Sequence, residues 1–385
     1  MMLTRLSILL LLIFITDGCG SSGNGNKQQK KDMESLPGSS AERFTIEKKD
    51  GYSVLTIINP WQGASNVSHK WYLVRKGGEV PRGIEAENVI YVPVNSIICM
   101  STTYIPMIKA LGAIETIKGI SGSSLVYDND VNAMIGSGKI ADVGYEDNIN
   151  KELLIRISPD LLVTYGVGSE ATGYMNKVRD LGVKVLFNAD YLETDPLAKA
   201  EWIKVFGALY CREEKAEEIF SSVKTRYAAL RSYIAKNISG RPRVLLGYPF
   251  KDTWFISPGN SFSSKLISDA GGDYLWKETK SEVSMPLGVE NVWYNALRAD
   301  FWINPGTAAS INEILALDSR LGELPCVIKG NIFNNNNRVR TDVGNDYWES
   351  GSLNPDVILK DLASIFHHEL FPGYTPFYYR QLKLK

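Results

Sequence analysis

The chain has 385 residues, with 42 Lys plus Arg against 43 Asp plus Glu and a formal net charge of -1. That length predicts two domains or lobes, and the near-neutral balance argues against a nucleic-acid binder, which needs a strong basic excess. With 44% apolar and 22% charged residues the composition is globular, and only 3 His and 4 Cys count against a zinc enzyme, a His-ligated haem protein or a disulfide scaffold.

Arg5 gives a positive start, and Leu6 to Ile15 is apolar apart from Ser7. About ten apolar residues are too few for a bilayer core, which needs about 20, and suit a signal peptide. Residues 1–18 are read as that peptide. The Gly18-Cys19 step resembles a bacterial lipoprotein cleavage site with Cys19 as the lipidated residue, although Thr16 and Asp17 replace the usual Leu and small residue. Residues 19–40, rich in Gly, Ser, Asn, Gln and Lys, predict a flexible tether. No later segment has membrane-spanning length, so the body is expected outside the cytoplasm, held to a membrane by lipid. Cys99, Cys211 and Cys326 are odd in number, widely spaced and set among apolar residues, which predicts buried thiols and no disulfide.

Residues 41–190 predict an N-terminal lobe. Phe44 to Ile57 reads as a β-hairpin around Asp50-Gly51, with further strands at Lys70 to Arg75 and Val89 to Val94. Ser101 can cap a helix to about Leu111, closed by Gly112. A strand at Thr116 to Ile120, a helix at Asn150 to Ile157 and a strand at Leu161 to Tyr165 follow. A helix at Met175 to Leu181 then leads to a strand at Val183 to Phe187. Residues 191–240 predict connecting helices, Pro196 to Leu209 and Arg212 to Asn237. In the second, Ala216, Ile219, Phe220, Val223, Tyr227, Leu230 and Ile234 mark one helical face. Roughly 25 helical residues reach about 37 Å, enough to bridge two lobes.

Residues 241–385 predict a C-terminal lobe in the same order. It has a strand at Val244 to Gly247, a Ser261-capped helix closed by Gly271-Gly272 and a helix at Val289 to Leu297. Strands follow at Phe301 to Asn304 and, as the last, Val327 to Phe333. A helix N-capped by Asn354 ends near Phe371. Glu152, Asp160 and Gly166 recur as Glu290, Asp300 and Gly306 around equivalent strands, which suggests an internal duplication. Helices alternating with short apolar strands predict an α/β fold with mostly parallel sheets.

These motifs resemble one family, the substrate-binding proteins of ABC importers for iron–siderophore, haem and vitamin B12. The similarity runs from about Val94 to Leu370. It is carried by Ser101-Thr102-Thr103 with Leu111-Gly112-Ala113, and by Asn150-Lys151-Glu152 with Ile157-Ser158-Pro159-Asp160. In the second half it is carried by Pro258-Gly259-Asn260, Leu287 to Glu290 with Ala299-Asp300, and Asn354 to Leu362. Phe366 to Leu370 is similar to a motif of the iron-complex members, with His368 where they usually have Pro. The resemblance implies two Rossmann-like lobes joined by a long α-helix (the helical-backbone, class III architecture), a metal chelate held between them, and no enzyme activity. It also implies that Glu152 and Glu290, one on each lobe, dock on arginines of an integral-membrane permease. Two exposed carboxylates at a fixed separation suit bidentate docking. A monomer with no cofactor of its own is expected.

In α/β sheets the crevice lies beyond the carboxyl ends of the strands. That rule selects Ser101, Thr102, Thr103, Tyr104, Ser121, Ser123 and Tyr165 in the first half, with Ser101 also a natural helix cap. In the second half it selects Tyr248, Trp254, Asn304, Tyr347 and Trp348. Aromatic walls suit a large conjugated ligand. His69 precedes the family pattern, and His367 and His368 point about 100° apart on a helix. Capture of a bare zinc or manganese ion is therefore not expected. The hairpin ahead of residue 90 and the Asn334 to Asn337 run lie outside the pattern and carry no assigned role. No Gly-x-Ser-x-Gly, phosphate loop or His-Glu-x-x-His motif points to an enzyme. A surface lipoprotein working with an outer-membrane receptor and no permease is the competing reading.

Overall fold

The computed structural model describes residues 39–340 and 344–384. The signal peptide, Cys19 and all but the last two residues of the expected tether lie outside the described residues.

The first sheet is β1 (Phe44–Lys48), β2 (Tyr52–Ile58), β3 (Ser68–Arg75) and β4 (Val89–Val92), in that spatial order. The expected hairpin pairs Phe44 with Ile57, and Gly51 takes φ +80° at the turn, a value that glycine adopts without strain. Phe44, Leu55, Ile57, Trp71 and Leu73 are buried in the main core. This sheet is therefore built into the first lobe. Its leading edge is fastened by two buried acids. Glu201 accepts the N–H groups of Ser40 and Ala41 at 2.7 and 3.0 Å, and Glu193 those of Glu42 and Arg43 at 3.2 and 3.1 Å.

The first lobe proper holds β5 (Ile97–Cys99), β6 (Ile117–Ile120), β7 (Ala141–Asp142), β8 (Leu161–Thr164) and β9 (Val185–Phe187). All neighbours are parallel, in the order β7-β6-β5-β8-β9. The chain winds outward in both directions from β5, which leaves a topological switch point between β5 and β8.

The second lobe runs through β10 (Arg243–Leu246), β11 (Pro249–Phe250), β12 (Thr253–Ile256), β13 (Asp273–Tyr274) and β14 (Met285–Gly288). It continues with β15 (Phe301–Ile303), β16 (Ile332–Asn334) and β17 (Arg380–Gln381). Its main sheet, β13-β10-β15-β16-β17, is parallel except for β17 and has its switch point between β10 and β15. β11-β12-β14 is a separate antiparallel sheet. The expected two-lobed, mostly parallel α/β architecture is present.

The connecting segment is split where one helix was expected. Pro196–Glu201 and Ile203–Leu209 meet at Trp202, whose N–H bonds the Lys199 carbonyl three residues back and whose Nε1–H is held by Glu193 at 3.1 Å. Glu213–Asn237 is one helix of 25 residues and buries Ala216, Phe220, Val223, Tyr227 and Ile234. Two further expectations need correction. Pro325–Ile328 is a short helix, started by an N1 proline and followed by Gly330 at φ +71°. The strand begins only at Ile332, and β17 follows it. Asn354 makes no cap bond to the helix Pro355–Phe366, because its Nδ2 donates to the Ser350 carbonyl at 2.7 Å. Cys99 and Cys326 are buried and Cys211 is half-buried, all three unbridged.

Candidate functional site

At the first switch point the chain leaves β5 through Ser101, in extended conformation with φ -146°. Its Oγ accepts the Thr103 N–H at 3.3 Å and lies 2.9 Å from Thr103 Oγ1, so it caps the turn Thr102–Tyr104. The Thr103 carbonyl accepts from Ser352 Oγ of the second lobe at 3.0 Å. Tyr104 is fully buried, its ring 5.8 Å from Phe206, and its hydroxyl has no hydrogen-bond partner. Beyond β6, Ser121 is buried and the Ser123 N–H donates to Asp142 at 2.7 Å. Both residues shape the loop around Gly122.

Beyond β8, Tyr165 is half-buried and meets Tyr191 edge-on at 6.1 Å. Burial, then the neighbouring Glu146 carboxylate, pushes the Tyr165 hydroxyl up to about 12. Beyond β9, Asn188 Oδ1 accepts the Asp190 N–H at 2.9 Å, while Asn188 Nδ2 and Asp190 Oδ2 are buried without partners. Glu146 Oε1 is a further buried orphan. Burial pushes the Asp190 carboxyl up against the opposing pull of Lys199. Asp190, Tyr165 and Glu146 all act electrostatically on the Tyr104 hydroxyl, so these groups share one neighbourhood. An unsatisfied buried polar group costs about 1–3 kcal/mol. Four such atoms, Tyr104 Oη, Glu146 Oε1, Asn188 Nδ2 and Asp190 Oδ2, lie past the ends of the first lobe's strands.

The second lobe contributes Tyr248 and Asn304 from the ends of β10 and β15. A Cβ on Gly306 would stand 2.9 Å from Tyr248 Cδ1, so the tyrosine ring lies against that glycine. Asn304 sits at φ +54° with its Oδ1 unpartnered, beside the hydroxyls of Tyr347 and Tyr379. Tyr347 is only 5% exposed and packs edge-on against Trp348, Tyr378 and Tyr379, whereas Trp348 is exposed. Trp254 is a correction to the expected wall. It is fully buried, stacks on Trp302 at 5.4 Å and donates Nε1–H to the Leu246 carbonyl. The polar backbone end of β10 takes its indole N–H, which fixes it in the core.

Glu146, Asn188, Asp190 and Tyr191 were not selected from the sequence. Asn188 to Tyr191 directly follow the strand expected at Val183 to Phe187. The strand-end rule applied to β5, β6 and β8 would have found them there too.

The structure also gives roles to the two unassigned segments. Past β2, the Gln62 N–H donates to the Gly166 carbonyl at 3.0 Å and to Tyr191 Oη at 3.0 Å, and Tyr191 Oη bonds the same carbonyl. Trp61 lies on Gly166, where a Cβ would come within 2.6 Å of it. The N-terminal sheet thus reaches the end of β8. With Tyr191 and the Ser257 to Ser263 loop it lines an open cavity of about 330 Å³ between the lobes. In the Asn run, Asn334 Nδ2 donates to the Gly306 and Ala308 carbonyls, Asn336 Nδ2 to Ala308 and Asn337 Nδ2 to Phe377. The run staples the loop after β15 to the C-terminal segment.

The lobes are tied beside the crevice. Glu349 accepts the N–H groups of Tyr127 and Asp128 at 2.8 and 2.9 Å, and Arg340 donates to Asn129 at 3.1 Å. Glu152 is exposed in the first turn of the helix Lys151–Ile157. Glu290 is exposed in the first turn of Val289–Ala296 and ion-pairs with Arg320 at 2.8 Å. His69 packs on Trp61 and Phe187, and buried His367 meets the Gly271 carbonyl at 3.2 Å. Among the described residues, no three His, Cys, Asp or Glu side chains are grouped to hold a metal ion.

The chain thus carries two lobes, each built on a mostly parallel sheet with its own switch point. The periplasmic binding protein family matches residues 97–337, and the chain belongs to that family. An uncharacterized lipoprotein of Methanocaldococcus jannaschii is 29% identical over 339 residues, covering 82% of this chain and 79% of that protein. A periplasmic haem-binding protein of Pseudomonas aeruginosa superposes with TM-score 0.55 at 15% identity, over 74% of this chain and 95% of that one. The periplasmic vitamin B12-binding protein of Vibrio cholerae does so with TM-score 0.51 at 14% identity, over 71% and 97%. These two likenesses are of fold. No helix among the described residues is long and apolar enough to cross a membrane.

Proposed function

We propose that the chain is the lipid-anchored, extracytoplasmic substrate-binding protein of an ABC importer. It captures a metal chelate (a ferric siderophore, haem or cobalamin) between its lobes and delivers it to a permease that engages Glu152 and Glu290. The observation that carries this reading is the cluster of buried, unpartnered polar atoms at the first-lobe switch point: Tyr104 Oη, Glu146 Oε1, Asn188 Nδ2 and Asp190 Oδ2. A folded chain tolerates such a cluster where a ligand supplies the missing partners. The orphaned Asn304 Oδ1 at the second switch point supports it, as does the likeness of fold to a haem-binding and a vitamin B12-binding protein.

Glu290 is held by Arg320, so a permease arginine has to compete for it, while Glu152 presents its carboxylate with no ion pair among the described residues. The test is tryptophan quenching of the full chain in detergent, titrated with haemin, cyanocobalamin and ferric siderophores. Saturable quenching at one ligand per chain is expected, with the ligand recovered unchanged. No response to any of these chelates contradicts the reading.

A further inference from the structure

The crevice side chains also bear on the charge of the chelate, an inference that rests on the binding-protein reading above. The three residues that follow each parallel strand of the two lobes include one Lys or Arg, namely Lys277, and it is ion-paired to Asp273 at 2.7 Å. Lys199, which acts on Asp190, stands with its Nζ over the Phe262 ring at 5.4 Å and is in no ion pair among the described residues. Arg338, past the end of β16, is taken by Asp346 at 2.6 Å. An anionic chelate would therefore find its unpaired cations, Lys199 and Arg43, away from the strand ends themselves, while Lys277 and Arg338 are already held by carboxylates.

The open hydrogen-bonding capacity is of the opposite kind. Glu146 Oε1, Asp190 Oδ2 and Asn304 Oδ1 are acceptors, Tyr104 Oη can serve as either, and Asn188 Nδ2 is the one pure donor. Acceptors without partners call for N–H or O–H donors on the ligand. A ligand donor or cation would also restore to Asp190 the ionised form that burial disfavours. That leaves a carboxylate beside the cradle, which disfavours additional negative charge on the same ligand.

We propose that the ligand is a metal chelate of neutral or positive net charge that presents N–H or O–H donors to Glu146, Asp190 and Asn304, and that the crevice discriminates against chelates bearing several carboxylate or phenolate charges. Cationic ferrioxamine B, neutral cyanocobalamin, trianionic ferric enterobactin and haemin, with its two propionates, sample that range.

The experiment titrates each of the four into the full chain in detergent at one fixed ionic strength and follows tryptophan fluorescence. At least one of the first two should bind about tenfold or more tighter than both of the last two. The E146Q/D190N double variant, its fold checked by circular dichroism, should narrow that gap to within about threefold. Equal or tighter binding of ferric enterobactin or haemin overturns the charge assignment and leaves the binding-protein reading standing. A wild-type preference that survives unchanged in a folded double variant removes Glu146 and Asp190 as its source. Absence of binding by all four overturns the binding-protein reading and this inference together. The wild-type rank order decides the question even if the double variant does not fold.

Discussion

Two buried glutamates show how single residues set the behaviour of the fold. Glu193 grips the start of the N-terminal sheet and the Trp202 indole, and Glu349 grips Tyr127 and Asp128 across the lobes. Burial pushes both carboxyls up from the ordinary 4.5 to about 7, despite the N–H groups that favour the ionised form. The folded state then holds more protons than the unfolded state between those values, so stability falls as pH rises from about 4.5 to about 7, by roughly 1–3 kcal/mol per group. Thermal melts of the wild type and of Glu349→Gln across that range check this. The wild type should lose melting temperature with rising pH, and the variant should lose less. At the proposed docking residues, Glu152→Ala with Glu290→Ala should abolish chelate uptake while leaving chelate affinity within about twofold. Uptake that survives both changes contradicts the docking role. Residue roles were legible in the sequence where local chemistry decides them. Ser101 and Ser261 are caps, as their positions before a helix imply. Trp254 was not legible, because whether an aromatic near a strand end faces crevice or core depends on its partner Trp302, which lies far along the chain.

At the scale of elements, punctuation carried most of what could be read. Asp50-Gly51 fixed the hairpin, and the three-and-four spacing of apolar residues fixed the long helix. Gly271, expected to close the helix that Ser261 opens, does so at φ +82°, and a Cβ there would stand 2.5 Å from His367 Nε2. Gly271→Ala should therefore lower stability by about 1–3 kcal/mol, read from the denaturant midpoint. A loss under about 0.3 kcal/mol would mean that the turn and His367 both relax. The antiparallel sheet β11-β12-β14 escaped detection because β11 has two residues and β12 four, too short for alternation to register. The helix expected from Pro196 to Leu209 is interrupted at Trp202, whose N–H bonds the Lys199 carbonyl three residues back and whose indole is held by Glu193. Apolar periodicity does not report such a tether.

The whole molecule was legible as two lobes with a helical connector because each lobe repeats the same alternation of short apolar strands and capped helices. The packing of its N-terminal sheet against the end of β8 was not legible. Nothing in the hairpin residues shows that Trp61 and Gln62 lie over Gly166 and Tyr191 beside the crevice. Trp61→Ala should therefore weaken chelate binding by about threefold or more in the same fluorescence titration. Unchanged affinity would make the sheet a purely structural addition.

On the proposed reading, one ligand bridges both switch points. Amide hydrogen exchange of the full chain, with and without saturating cyanocobalamin or ferrioxamine B, measures this most directly. Ligand should slow exchange at Ser101 to Tyr104, Tyr165 to Gly166 and Asn188 to Tyr191 in the first lobe, and at Gly247 to Tyr248 and Asn304 to Gly306 in the second. Protection confined to one lobe, or lying away from these strand ends, would contradict it.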